Sequence, residues 1–486
     1  MWQMSERSGE QGCAGEARMV VGRRLWAVVA VAIGGFCVQL DAFALNMALP
    51  VIRRDLHASA AAGPWVISGY LLAAGSLMPA AGRLGDRYGR RRLLLWGLAL
   101  FGGTSAGCAL APSLPFLVVA RVAQGAGGAL VMPVGLALLT RSFPPGRARV
   151  ATGYALGLAG LATACGPFVG GALAQALSWR AVFWVNVPLC AAALLCARRA
   201  PEPRDEAAPG ARGEGGRAER AQGASGAPGA GAWSGGGWGS VVVGSGVPAC
   251  LAMAVEGAGA WWEACAWAAG AVMLGALFVR AERRSRAPLF DLSLFRNAPY
   301  VALTSAGAVA NAATVVLLFV VPLALQEVHG LSVLGAGAAF LVPAAAMAAA
   351  GAVAGRVPPG AAERVMAVCL GLAAAALAAA RPDGGAASAV LLSVATVASA
   401  SLGMAGALAL TATQAVVRPD RAGEASGLTK CAITVTAGLG LAPAGTDPGG
   451  ALHLAAAGCA AACLALLVRN RRRRRRRWKR VPVSHR

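Results

Sequence analysis

Long apolar segments recur along the chain from Leu25 to Val468, and short polar or glycine-rich connections separate them. A run of roughly 20 apolar residues is long enough to cross a bilayer as an α-helix. The pattern predicts fourteen spans, with both ends of the chain on the same side of the membrane. The predicted spans are 25–50, 64–82, 93–111, 116–139, 151–174, 181–197, 240–257, 261–279, 300–323, 333–355, 364–380, 388–413, 425–445 and 451–468.

This arrangement predicts an all-α polytopic membrane protein. Two six-helix bundles, residues 25–197 and 300–468, flank two extra central helices at 239–280. Residues 198–238 combine Pro, Gly, Ala and alternating charges without hydrophobic periodicity, which predicts a disordered linker. The linker is expected in the cytoplasm together with an N-terminal segment at 1–24, an amphipathic interfacial segment at 281–299 and a basic tail at 469–486.

Composition supports the membrane class. Of the 486 residues, 57% are hydrophobic and 13% are charged, and the mean hydropathy is +0.60. A soluble domain carries about 25% charged residues. The 12 Cys residues are scattered, with no spacing typical of a metal site or a disulfide framework. No Walker loop occurs either, so the sequence predicts neither an enzyme nor a metal site.

The net charge of +23 follows the predicted topology. Of the 44 Lys and Arg residues, all but six lie on the predicted inner side, and those six are Arg53, Arg54, Arg180 and Arg381 outside, with Arg121 and Lys430 inside spans. This asymmetry places both ends of the chain in the cytoplasm. We expect the basic tail to contact anionic lipid, at roughly 1 kcal/mol per basic residue near the surface, and not nucleic acid.

Two charged residues within predicted spans are candidates for a functional site. Asp41 lies in mid-span, where a carboxylate is costly and is a functional candidate by default. Burial would bring proton binding and release near working pH. Arg121 lies at a similar predicted depth, and a buried Arg needs an acid partner or water, so we expect the two to be coupled directly or through water. The alternatives are a structural Asp41 and an Arg121 that reaches the outer surface.

Five stretches of sequence resemble a known family. Residues 82–92 (GRLGDRYGRRR) resemble the loop between helices two and three of the major facilitator superfamily of transporters. Residues 40–50 (LDAFALNMALP), 121–128 (RVAQGAGG) and 179–188 (WRAVFWVNVP) resemble motifs of its fourteen-helix drug:proton antiporters. Residues 160–171 (GLATACGPFVGG) resemble a motif found in exporters and generally lacking in importers of the superfamily.

The resemblance implies a role for each motif. Asp41 and Arg121 would carry proton coupling. A conformational latch would comprise Gly82, Gly85, Asp86, Arg87, Gly89, Arg90 and Arg91. A kinked, closely packed helix would contain Gly160, Gly166, Pro167, Gly170 and Gly171. Candidate contacts in the substrate cavity are Asn46, Gln124, Asn311 and Gln326.

The sequence departs from the family pattern at two places. Phe43 stands where the first-helix motif usually has Thr, which affects substrate contacts. In the predicted thirteenth span, Lys430-Cys431-Ala432 replaces the usual polar run. Lys430 is two turns from the inner end of that span, and the alternative to an interior position is a side chain that reaches the inner surface.

The expected function is proton-driven export of small, amphipathic or cationic drugs or antibiotics through a bacterial plasma membrane by alternating access, with the proton gradient as energy source and no cofactor. Two alternatives remain: a dedicated exporter of one endogenous metabolite, and a transport-inactive membrane sensor with the same fold. The partners implied are the small-molecule substrate, protons and the lipid bilayer, and the oligomeric state is not predicted.

Overall fold

The computed structural model describes residues 2–57, 65–143, 145–201, 261–284, 292–354, 356–382, 387–417, 422–445 and 447–478, with a few single positions between 63 and 254. In these ranges the chain is helical and contains no strand. The N-terminal half consists of α1 (Trp2–Asp55), α2 (Trp65–Tyr88), α3 (Arg90–Ala109), α4 (Leu114–Ser142), α5 (Pro145–Ala176), α6 (Trp179–Trp184) and α7 (Asn186–Arg199).

One extra helix, α8 (Trp261–Arg284), comes next in the described part of the chain, and the C-terminal half follows it. After α8 come a 3-10 helix (Leu292–Arg296), α9 (Ala298–Glu327), α10 (Val333–Ala354), α11 (Pro359–Ala379), α12 (Ser388–Ala415), α13 (Ala422–Gly440), a 3-10 helix (Ala442–Gly445) and α14 (Pro448–Trp478). Nine of the described helical segments are long and apolar enough to cross a membrane. The predicted seventh span, 240–257, lies almost entirely outside the described residues, so the count of fourteen stays a prediction.

The predicted sixth span is divided into two helices. Ser178 caps the start of α6, since its side chain accepts a hydrogen bond from the Arg180 amide, and a turn at Val185 separates α6 from α7. Pro188 has no N–H to donate to the carbonyl of Trp184, which is one turn earlier. The interruption therefore falls where the backbone hydrogen-bond pattern is already broken.

Both chain ends are more helical than predicted. The first helix runs without interruption from Trp2 through the predicted segment 1–24, and α14 continues through the basic tail to Trp478. The predicted amphipathic segment at 281–299 is not one helix in its described part, where α8 ends at Arg284 and a 3-10 helix precedes α9. Leu294 in that 3-10 helix is buried among Tyr300, Ala425 and Leu428, so it anchors the segment to α9 and α13.

The two halves share one apolar cluster, which runs through the C-terminal half. Its members from the N-terminal half lie toward the end of the bundle away from the basic loops, which we call the outer end. Its helix pairs across the halves are α2 with α13, α5 with α10 and α1 with α9. Leu45 and Ile52 of α1 lie in the same buried cluster as Val320 of α9. A second cluster, which includes Val31, Leu98 and other residues toward the basic loops, contains only N-terminal helices. The halves are therefore joined mainly at the outer end.

Polar contacts reinforce this outer closure. The Gln326 side-chain amide donates a hydrogen bond to the Met47 carbonyl at 3.4 Å. The Leu334 amide donates to the Gln175 side-chain oxygen at 2.8 Å. Both bonds connect the N-terminal half to the C-terminal half at helix ends.

Small residues allow α5 and α10 to approach closely. A Cβ atom at Gly171 would lie 2.7 Å from the Val333 carbonyl oxygen, and one at Gly337 would lie 2.9 Å from the Pro167 carbonyl oxygen. Neither position has room for a side chain, because backbone atoms of the opposite half occupy the space.

We predict that Gly171→Val weakens the outer closure, because the added side chain pushes α10 away from α5. In hydrogen–deuterium exchange of the protein in nanodiscs, amides at 331–337 should exchange several-fold faster than in the wild type. Gly103→Val is the matched control, since a Cβ atom at Gly103 meets nothing within 4 Å. Equal exchange of this segment in all three proteins would contradict the prediction.

Candidate functional site

A buried ion pair connects α1 to α4. The Arg121 guanidinium donates from Nη1 to Oδ2 of Asp41, and both side chains are completely buried. Of the arrangements that the sequence left open, which included contact through water and an Arg121 that reaches the outer surface, the structure has direct contact between the two side chains. A carboxylate and a guanidinium inside a bundle are tolerated because each compensates the charge of the other.

Two side-chain amides complete the coordination of the Asp41 carboxylate. Its Oδ1 accepts hydrogen bonds from Gln124 Nε2 at 3.1 Å and from Asn186 Nδ2 at 3.0 Å. With Arg121, three donors point at this carboxylate. The Oδ1 atom of Asn186 is buried and has no hydrogen-bond partner, so a potential acceptor lies beside Asp41.

Gln124 extends the network to α3. Its side-chain oxygen accepts from Arg121 Nη1 at 2.6 Å, and its Nε2 also donates to the Ser105 hydroxyl at 2.6 Å. The Ser105 hydroxyl in turn donates to the Phe101 carbonyl at 2.8 Å. Gln124 is completely buried, so the structure places this predicted cavity residue inside the Asp41 network.

The rest of the Arg121 side chain is held from α2 and α6. Its Nε donates to the Val66 carbonyl at 2.9 Å. Its guanidinium carbon lies 4.2 Å from the centre of the Tyr70 ring and 5.8 Å from that of Phe183. Aromatic faces stabilise a cation at such distances, so Arg121 is fixed from several helices.

The glycines after Gln124 explain why these helices come so close. A Cβ atom at Gly127 would lie 2.7 Å from the Phe101 backbone nitrogen, and one at Gly128 would lie 3.1 Å from the Tyr70 hydroxyl. The missing side chains let α3 and α2 pack directly on α4. The stretch at 121–128 therefore supplies both the charged groups and the space for their partners.

Sequence reasoning missed Asn186 and Ser105 as members of this site. Asn186 belongs to the stretch at 179–188, so that resemblance was a usable signal. Ser105 lies in an ordinary apolar span and gives no such signal.

The stretch at 179–188 also fixes α6 to the end of α1. Asp55 accepts a hydrogen bond from Trp179 Nε1 at 2.9 Å and an ion-paired one from Arg180 at 2.7 Å. The Arg180 guanidinium also lies 4.3 Å from the Trp179 ring centre. These contacts position the start of the helix pair that carries Asn186.

The predicted latch loop connects to helix ends within the N-terminal half. Arg90 donates to the Ala137 carbonyl of α4 at 3.1 Å. Arg91 donates to the Ala197 carbonyl at 3.0 Å and also to the Arg198 carbonyl, at the C-terminal end of α7. A cation is favourable there because the helix dipole is negative at that end.

The glycines of the latch have distinct surroundings. Gly89 has φ of +90°, a backbone conformation that favours glycine, and it separates α2 from α3. A Cβ atom at Gly85 would lie 3.5 Å from Arg90, whereas one at Gly82 would meet nothing within 4 Å. The side chains of Asp86 and Arg87 lie outside the described part, so their role in the latch stays a prediction.

The exporter-type motif lies on α5, between α1 and α10. A Cβ atom at Gly166 would lie 2.8 Å from the Phe43 Cβ, and one at Gly170 would overlap the Ala44 backbone. Pro167 is inside α5 and is buried. Gly160 lies on the same helix, and no contact of it is described. The motif thus brings α5 against the α1 segment that follows Asp41.

The other predicted cavity residues are not gathered at one site. Asn46 is buried, and its side-chain oxygen has no partner. Asn311 on α9 donates to the Ile433 carbonyl of α13 at 3.1 Å. Gln326 is at the outer end of α9, where it takes part in the closure described above.

A cavity of about 530 Å³ lies at the outer end, between the end of α1 and the α9–α10 connection. Arg53 and Glu327, from opposite halves, line it and lie 3.8 Å apart. Pro50 and His57 also line this cavity. It is separate from the Asp41 network, which is closed.

The chain forms two helical halves, and the N-terminal half contains a buried ion pair between membrane-length helices. The model of the Major Facilitator Superfamily matches residues 31–441, and the chain belongs to that family. It is therefore a multi-pass membrane transporter by family and not an enzyme.

Relatives with assigned roles are named for drug resistance and export. The chain is 36% identical over 344 residues to the tetracenomycin C resistance and export protein of Streptomyces glaucescens, covering 68% of this chain and 58% of that protein. It is 40% identical over 170 residues to the drug efflux pump JefA of Mycobacterium tuberculosis, covering 34% and 33%. It is 38% identical over 173 residues to the methylenomycin A resistance protein of Bacillus subtilis, covering 35% and 37%.

A solved structure supports the fold. A bacterial homologue of the human lysosomal transporter Spinster, in an inward-facing and occupied conformation, has a TM-score of 0.59 and 17% identity. The similarity covers 92% of this chain and 94% of that one. At this identity it supports the arrangement of helices only.

We predict that removing one partner of the ion pair costs more than removing both charges. Arg121→Gln leaves the Asp41 charge buried without compensation, which typically costs about 3–5 kcal/mol. The double variant Asp41→Asn, Arg121→Gln should recover part of that loss. Thermal unfolding in detergent tests this, with Ser393→Ala as control because its exposed hydroxyl contacts only its own helix. A double variant that is as unstable as the sum of the two single variants would contradict the prediction.

Proposed function

We propose that this chain exports small amphipathic molecules, such as drugs or antibiotics, through a bacterial plasma membrane in exchange for protons. The relatives named above support the export of drugs. The fourteen-helix antiporter motifs in the N-terminal half support proton exchange as the energy source. No bound cofactor is required in this scheme.

The single observation that carries the proton-coupling proposal is the coordination of Asp41. Its carboxylate accepts from Arg121, Gln124 and Asn186 in a fully buried site between α1, α4 and α7. Protonation would remove the charge that these three donors stabilise, so the packing of the three helices depends on the protonation state. The unpartnered Asn186 oxygen offers the protonated form a hydrogen-bond acceptor.

The outer closure supports alternating access as the mechanism. With the orientation predicted from the basic loops, halves that are joined at the outer end correspond to an inward-open arrangement. Return to the outward-open arrangement would separate α5 from α10 and break the Gln326 and Gln175 contacts. These bonds are few and lie at helix ends, which suits an interface that opens in every cycle.

The proton gradient is sufficient for this work. One proton moving inward releases about 2.3 kcal/mol per 100 mV of membrane potential and about 1.4 kcal/mol per pH unit. A membrane potential of about 100 mV and a pH difference of about one unit together release about 3.7 kcal/mol per proton, which supports a roughly 500-fold substrate gradient.

The proposal predicts that Asp41→Asn abolishes proton-coupled transport. In energised everted vesicles, an added substrate should release protons from the lumen in the wild type and not in the variant, because the amide cannot take up a proton. Candidate anionic and cationic fluorescent drugs serve as substrates, and a pH-sensitive dye in the lumen gives the readout.

Asp447→Asn is the matched control. It removes an exposed carboxylate in the half that does not contain the Asp41 network, where Asp447 accepts a hydrogen bond from the Gly450 amide at 2.8 Å. This variant should keep the proton response. A normal proton response in Asp41→Asn would overturn the assignment of Asp41, and the thermal unfolding described above shows whether that variant is folded.

A further inference from the structure

The second departure from the family pattern places a cation in the interior of the C-terminal half. Lys430 is the ninth residue of α13, which begins at Ala422. At 1.5 Å per residue its Cα lies about 12 Å from the start of the helix. A lysine side chain spans roughly half of that distance. When the side chain points sideways from α13, its ammonium group therefore lies well inside the bundle.

The contacts of α13 show which way Lys430 faces. One face of the helix packs on α9, where Thr429 shares a hydrogen bond of 3.2 Å with Thr304 and the Ile433 carbonyl accepts from Asn311. In helical phase, Lys430 lies beside this face and not on it.

A second face of α13 packs on α2 in the other half. A Cβ atom at Gly75 would lie 3.2 Å from the Thr434 side chain, and one at Gly438 would lie 2.9 Å from the Leu72 side chain. Lys430 is one turn before Thr434 on the side toward the basic loops. It therefore lies between the α2 face and the α9 face, on the basic-loop side of these contacts between the two halves.

The Lys430 ammonium has no counter-charge in the described part of the chain. Its side chain is half-buried and takes part in no ion pair or hydrogen bond there. The Asp41 and Arg121 charges cancel each other, and Glu363 lies 3.7 Å from Arg469 near the inner end. Among the described residues, the space between the two halves on the side of the basic loops, which we call the gap, therefore carries a positive charge at Lys430.

We propose that Lys430 binds the acidic group of the substrate, and that the exported molecules are amphipathic organic anions. This inference rests on the proposed export function. A positive charge inside a membrane protein is costly unless it is hydrated or paired, and an anionic substrate provides the pairing. A cationic substrate in the same gap would meet a like charge at Lys430. The expected preference is therefore opposite to the cationic one considered from sequence.

The entrance to the gap has a charge that favours the same substrates. The ends of the helices on that side carry Arg90, Arg141, Arg198 and Arg199. The positive-inside rule accounts for these residues, but their summed field also raises the local concentration of organic anions.

Binding of two dyes with the same ring skeleton tests the proposal. Fluorescein is anionic and rhodamine 123 is cationic, and fluorescence anisotropy measures their binding to purified full-length protein in nanodiscs without a proton gradient. The wild type should bind fluorescein more tightly than rhodamine 123. Lys430→Gln should weaken fluorescein binding at least about tenfold, and Lys430→Arg should retain it within about threefold. Lys430→Glu should reverse the preference.

Arg356→Gln is the matched control, because it removes one exposed positive charge at the same end of the bundle without touching the gap. It should leave the binding of both dyes unchanged. Absence of fluorescein binding, a preference of the wild type for rhodamine 123, or an unchanged affinity in Lys430→Gln would each overturn the proposal.

The two proposals fail in different ways. Because this measurement uses no gradient, loss of proton coupling in Asp41→Asn does not affect its outcome. Fluorescein binding that depends on Lys430, together with a proton response that survives Asp41→Asn, would retain the anion site and remove Asp41 as proton carrier.

Discussion

The cost of a charged group in a low-dielectric interior is the constraint on which the N-terminal half is built. Asp41 is completely buried, and its charge is tolerated only because α4 supplies Arg121 and Gln124 and α7 supplies Asn186. Holding these donors within hydrogen-bond distance requires the helices to approach closely, and Gly127 permits that approach by leaving room for the α3 backbone. The glycine and the charged residues therefore depend on each other: the glycine lets the helices approach, and the hydrogen bonds to Asp41 hold them at that distance.

The ion pair was predictable from the sequence because it depends on local properties. A charge in an apolar span signals its own importance, and counting residues from the span ends places Asp41 and Arg121 at the same depth. The further partners depend on which helices are neighbours in space. Ser105 carries no charge and lies in an ordinary span, so only the three-dimensional packing of α3 on α4 identifies it as a partner of Gln124.

The helix boundaries likewise include features that the sequence predicts and features that only the structure shows. Hydropathy locates each apolar segment, but it does not show where a helix ends, because polar residues outside the membrane continue a helix at little cost. The extension of α14 into its arginine-rich tail is of this kind. Conversely, the break between α6 and α7 lies inside an apolar segment, and the signals for it are Pro188 and the polar Asn186. Asn186, which interrupts the apolar pattern of this span, is therefore also the residue that donates a hydrogen bond to Asp41.

Asp41 and Lys430 belong to opposite halves, and under the two proposals their charges set a condition on how a proton and an anionic substrate would exchange. Protonation of Asp41 would leave Arg121 uncompensated and make the interior more positive, which by electrostatics alone strengthens the binding of an anion. Exchange of a proton for an anion therefore requires the two to compete through conformation, with each stabilising a different arrangement of the halves. The membrane potential favours this exchange, because an anion moving outward and a proton moving inward each release about 2.3 kcal/mol per 100 mV. Such a transporter gains driving force from the negative charge of its substrate. This gain offsets the fact that the proton and the anion do not compete for one charged site.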